Sequence, residues 1–173
     1  IQSFIANTQR YQARLVAIAA ESYRRQRYQP VTALFQFMFV ETWPSVNWGV
    51  VDYLRQPKAG YYALQRAYQP LLPSIEPSRL DWKAGEPGQI NLWTINDRPT
   101  AFHNSQLEWR IVQGDSVLAQ GKQRVDIAAD SGKKVVALPV TPSRGGTLRV
   151  STRIVDGENN ILARNQMAFE VAP

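Results

Sequence analysis

Glu41, Trp43 and Trp48 are the side chains of this sequence whose types and spacing could do chemistry. They lie in Glu41-Thr-Trp-Pro-Ser-Val-Asn-Trp-Gly49, directly after the apolar run Phe35-Gln-Phe-Met-Phe-Val40. A carboxylate at such a junction can accept a hydrogen bond from a ligand hydroxyl or orient another reacting group. It can equally brace the loop by bonding backbone amides or an arginine. The two tryptophans could stack on the C–H face of a ring, or pack the loop onto a neighbouring helix or sandwich. Other chemistries are closed by composition. There is no cysteine and a single histidine, His103, so disulfides, thiolate metal sites, His-pair sites and Cys-His nucleophiles are excluded. No metal and no cofactor is expected.

The elements that must position these residues change character along the chain. Tyr11, Leu15, Ile18 and Tyr23 recur at helical spacing among strong helix formers, with Asn7 or Thr8 available as a cap. Pro30 breaks that pattern. Val31–Val40 is then apolar on both faces, as a strand of a parallel sheet must be. Pro57 falls where a helix tolerates proline, and Tyr61, Leu64 and Tyr68 mark one face of a helix that Pro70 stops. Strand, aromatic loop and helix in this order are the elements at the C-terminal rim of a (β/α) barrel. A whole barrel needs roughly 250 residues, more than the 173 present.

Beyond Leu71 the period becomes two. Ile90, Leu92 and Thr94 alternate with polar or aromatic neighbours, as do Leu107, Trp109 and Ile111. Leu148, Val150, Thr152 and Ile154 do the same, and Met167, Phe169 and Val171 close the series. Turn signals such as Asn96-Asp-Arg-Pro99 and Asp156-Gly157 separate these runs. About seven short strands so spaced predict an antiparallel β-sandwich of immunoglobulin type, with Trp109 deep in its core. The expected division is therefore 1–70 and 71–173, joined by a short proline-rich connection at Pro70–Pro73.

The net charge of +6 comes from scattered Lys and Arg. Its densest cluster, Arg24, Arg25 and Arg27, complements a helix C-terminus, and no recognition motif accompanies it. Nucleic acid is not an expected partner. No apolar run reaches the ~18 residues of a membrane span, so no membrane partner is expected, and the compartment is left open. The first residue is Ile1, without a signal pattern, which reads as a piece of something longer.

Residues from about 8 to 75 also resemble the end of the catalytic barrel in glycoside hydrolase family 2, the β-mannosidase and β-galactosidase group. The resemblance is carried by Trp43-Pro44, Asn47-Trp48, Val51-Asp52-Tyr53, Pro57-Lys58 and Tyr61-Tyr62-Ala63-Leu64, and by a β-sandwich following the barrel. It implies that residues 1–70 are the last barrel strand, its rim loop and flanking helices. It implies a parent enzyme that hydrolyses β-linked sugars with retention, using two carboxyl groups about 5–5.5 Å apart. Those groups would come from earlier barrel strands, so none is assigned here and the segment alone should be inactive. Phe37 would stand for the tryptophan that floors the sugar site, and Val40-Glu41 for an Asn-Asp pair. Glu41, Trp43 and Phe37 are thus the substrate-binding candidates.

Two rival readings remain: a non-catalytic carbohydrate-binding sandwich, with Trp82 and Trp93 as its surface, and a structural or docking sandwich. Core packing of Trp82 and Trp93 is the plainer alternative. Val31–Val40 without neighbouring strands should be buried by the helices or by a second copy of the chain, so self-association of the isolated segment is a further expectation.

Overall fold

Helix-forming residues at the start of the chain produce a helix longer than expected. In a computed structural model describing Ile1–Pro173, α1 spans Gln2–Arg25. Thr8 does not cap it. Its Oγ1 instead donates to the carbonyls of Phe4 and Ile5, both at 3.0 Å, the back-bonding a hydroxyl makes inside a helix. Arg24 and Arg25 fill the last turn, where positive charge meets the exposed carbonyls. The second helix, α2, spans Ala59–Ala67 with Lys58 as its N-cap. Arg24 donates to the carbonyl of Ala67, so the cation ending α1 also satisfies the end of α2. The helices meet around Ala20, Val50, Leu64 and Ala67, with Val16, Leu34, Tyr61 and Tyr68 at the margin.

The expected strand Val31–Val40 does not form. Only isolated bridges touch it, Arg27 with Val31 and Val40 with Val51. Phe35 is 87% exposed, and Phe37 and Phe39 are also exposed; Leu34 packs on the core of the helix pair, and Phe39 meets Tyr61 of α2 edge-on. Of the two coverings expected for this segment, the helices do not supply one for Phe35 and Phe37. The reason no strand forms is that strand-type composition specifies one only where a ladder partner exists, and the elements formed before Leu71 are two helices.

The chain divides into two compact units, Ile1–Gln69 and Pro70–Pro173. The second holds eight strands: β1 Leu71–Pro77, β2 Trp82–Lys83, β3 Gly88–Asn96, β4 Phe102–Gln113, β5 Ser116–Ile127, β6 Ser131–Val140, β7 Gly146–Val155 and β8 Ile161–Ala172. They form two sheets, in the orders β1-β3-β6 and β2-β8-β7-β4-β5. All pairings are antiparallel except β2 with β8. The proline-rich segment expected to be a connection is largely strand. Pro73 lies opposite Thr94 in an edge strand, where a missing N–H is tolerated.

The clearest alternation is in β8, where Ala163, Asn165, Met167, Phe169 and Val171 are buried in turn. On β4, Leu107 and Ile111 are fully buried, but Trp109 on the same face is only half-buried. It lies opposite Gly121 of the edge strand β5, and a Cβ at Gly121 would come within 2.7 Å of its ring. The indole thus occupies the space above an edge glycine rather than the centre. The core tryptophan is Trp82, 1% exposed, its ring centroid 6.1 Å from that of Phe169.

Candidate functional site

The segment from Phe39 to Lys58 is a loop with a tied neck. Val51 N–H and Val50 N–H donate to the Phe39 carbonyl at 3.0 and 3.1 Å, and Glu41 N–H donates to Val51 O at 3.0 Å. On the other side Lys58 N–H donates to Val50 O at 2.9 Å. Asp52 closes the tighter turn within: its Oδ1 accepts Gln56 N–H at 2.8 Å. Gln12 of α1 reaches in from outside, its Nε2 donating to Trp48 O at 3.0 Å and Gly49 O at 3.2 Å. Such end-to-end closure is what makes a surface loop compact.

Glu41 is only 4% exposed. Its Oε1 accepts a hydrogen bond from Lys58 Nζ at 2.7 Å, forming an ion pair whose side chains are 5% and 12% exposed. Gly49 lies so close that a Cβ there would stand 2.5 Å from Glu41 Cγ. Glycine is required at that position by the close approach. The aromatic candidates are placed quite differently. Trp43 is 62% exposed, and Trp48 and Phe37 are exposed as well. The ring contacts of this unit are Phe39–Tyr61 at 6.0 Å and Tyr61–Tyr62 at 5.4 Å, and none of the three candidates joins them. The structure therefore joins Glu41 to Lys58 and leaves Trp43, Trp48 and Phe37 as open apolar faces.

Lys58, Gln12 and Gly49 were not singled out in the sequence as parts of this loop. The Glu41–Lys58 separation of 17 residues matches no secondary-structure period. The legible signal was a carboxylate and a lysine flanking an aromatic loop, too common to select a pair.

In the second unit, Trp82 is core. Trp93 is half-buried, donating from Nε1 to Glu76 Oε2 at 2.8 Å and lying under Lys134 Nζ at 5.6 Å. His103 is exposed, 3.8 Å from Asp126. No group of three His, Asp or Glu side chains could hold a metal ion, and no helix is long and apolar enough to cross a membrane. Near the helix pair, burial raises the Tyr68 phenol above its ordinary value, partly opposed by the Arg24 charge.

No family model matches the chain. β-Mannosidase B of Aspergillus niger is 27% identical to it over 105 residues, covering 56% of this chain and 12% of that protein. β-Mannosidase B of Neosartorya fischeri is 27% identical over 107 residues, 57% of this chain and 12% of its own length. Among solved structures, an exo-chitosanase of Amycolatopsis orientalis superposes with a TM-score of 0.79 at 19% identity, covering 96% of this chain and 19% of that one. The β-D-mannosidase of Dictyoglomus thermophilum gives a TM-score of 0.75 at 20% identity, covering 95% and 19%. The structural likeness shows a shared fold. The chain spans about an eighth of the length of the curated relatives it matches.

Proposed function

We propose, for a chain that resembles the C-terminal portion of a glycoside hydrolase family 2 enzyme of the β-mannosidase type, that it is the end of a retaining hydrolase acting on β-linked sugars. The observation carrying this reading is the agreement of two independent likenesses. A β-mannosidase matches over more than half of the sequence, and a β-D-mannosidase fold matches over 95% of the chain. On this reading residues 1–70 are the last strand, rim loop and last helix of a (β/α) barrel, and 71–173 an accessory immunoglobulin-like sandwich that braces it. The exposure of Phe35, Phe37 and Phe39 supports it, because a barrel strand presents such rings to neighbouring strands and helices. Trp43 and Phe37 are then the sugar-facing surfaces of the rim. The acid/base and nucleophilic carboxylates lie on other strands of the parent.

The rival reading, a carbohydrate-binding sandwich, has less to stand on. A binding surface needs exposed rings, and the large apolar side chains exposed in the second unit are Leu80, Val117 and Ile161, none aromatic.

Purified chain is expected to give no turnover of aryl β-mannosides or β-glucosaminides, since a retaining mechanism needs both carboxylates. Turnover that persists in Glu41→Gln would overturn the reading. The reading frame on the N-terminal side of Ile1 is expected to encode a barrel with an Asn-Glu strand end and a second strand-end Glu. A frame lacking them would also sink it.

A further inference from the structure

We propose that Lys58 is the positioning residue of the aromatic loop. Its ammonium pairs with Oε1 of the buried Glu41 carboxylate, locks the loop's neck, and holds Trp43 and Trp48 outward, so that Glu41 serves as a brace rather than a substrate ligand. That the loop faces a sugar rests on the reading above; the latch itself does not.

The geometry is a closed ring. Glu41 N–H is bonded to Val51 O, and Lys58 N–H to the adjacent Val50 O. The two side chains then meet at 2.7 Å. Breaking any of these contacts loosens the others, because the same two residues carry both the backbone bonds and the charges. Lys58 is the only ion-pair partner Glu41 has. A carboxylate this buried loses its hydration and must be compensated locally, and a charge-assisted bond does this more strongly than a neutral one. Gly49 completes the fit by admitting the Glu41 side chain where any Cβ would collide. A ligand hydroxyl seeking Oε1 would have to displace an ammonium from a group almost wholly withdrawn from water. The exposed faces of Trp43 and Trp48 require no such displacement.

The pair lies at the neck, and the rings lie on the arc it closes. Trp43 follows Glu41 by two residues, and Trp48 precedes the Gly49 that packs on Glu41. Opening the neck therefore frees Trp43 and leaves Trp48 tied only through the Gln12 bonds to the Trp48 and Gly49 carbonyls, whereas the sandwich tryptophans Trp82, Trp93 and Trp109 lie in the other unit and serve as internal controls.

The test uses the whole chain, reading amide exchange and the five indole Nε1–H resonances by NMR. In Glu41→Met/Lys58→Met both charges are removed, so no bare charge is left to unfold the unit. Exchange at the Glu41-position, Val51 and Lys58-position amides should rise at least about tenfold. The Trp43 and Trp48 indoles should shift or broaden, while Trp82, Trp93 and Trp109 stay in place. Lys58→Arg, which keeps a cation, should retain the slow exchange of the parent chain. Unchanged exchange and unmoved Trp43 and Trp48 signals in the double variant would overturn the latch, showing that packing alone holds the loop. Equal loosening in Lys58→Arg would overturn the role of charge. No sugar enters this experiment, so its failure is distinct from a failure of the glycosidase reading, which the turnover assay addresses.

Discussion

Asp156 shows how much a single exposed side chain can organise. Its Oδ1 accepts Glu158 N–H at 2.9 Å and Asn160 N–H at 2.8 Å, and its Oδ2 accepts Asn160 Nδ2 at 3.0 Å. The Asn160 side chain first, then the Asn160 and Glu158 backbone amides, hold this carboxyl below its ordinary value. These bonds form the turn between β7 and β8. A carboxyl depressed in the folded state stabilises it above the unfolded value of about 3.9. The contribution is lost as pH falls through the lower folded value. Thermal melts of the parent and Asp156→Ala should therefore differ at neutral pH and draw together as pH falls from about 4 through the lower folded value; a gap independent of pH would show that the charge plays no part. Asp156-Gly157 was legible as a turn because its residue types favour one. Glu41 was legible only as a choice between ligand and brace, because its partner Lys58 is reached through folding of the loop rather than through any local period.

At the scale of elements, Trp82 takes the deep core position expected of Trp109, in keeping with core packing as the plainer reading of Trp82. Alternation put Trp109 on the buried face of β4 correctly, but period alone does not say what lies above a position. The neighbour is an edge strand, β5, with Gly121 beneath the ring, so the indole is covered from one side. Trp82 belongs to a two-residue strand too short to show any alternation, yet Gly88 makes room for it: a Cβ there would stand 2.6 Å from its ring. Trp82→Ala should cost about 3–5 kcal/mol in urea unfolding. Trp109→Ala should cost less, about 1–2 kcal/mol. A larger loss at Trp109 would mean the core is centred elsewhere. The same limit explains the strands that were not individually legible. Most of β5 is exposed or half-buried, and β1 carries two prolines, so neither displays the simple two-residue pattern of β8. Val31–Val40 is the converse case, a segment with strand composition and no ladder to join.

At the scale of the whole molecule, the two units differ in how completely they bury their apolar residues. In Pro70–Pro173 the large apolar side chains left exposed are scattered singly, which is ordinary for a folded surface. In Ile1–Gln69 the exposed set includes Phe4, Tyr11, Phe35, Phe37, Trp43 and Trp48. At roughly 25 cal/mol per Å² of apolar area, removing even part of that set from water favours association. The full chain is therefore expected to self-associate as its concentration rises, followed by sedimentation velocity. A truncated chain Pro70–Pro173 should stay monomeric over the same range. Phe35→Lys with Phe37→Lys should shift the full chain toward monomer, because two charges oppose burial of that segment. A full chain that is monomeric at every concentration would show these rings to be tolerated in water. The composition of Val31–Val40 would then no longer argue for a segment built to be covered, and the barrel reading would have to rest on the Trp43–Leu64 motifs and the sequence and fold likenesses alone.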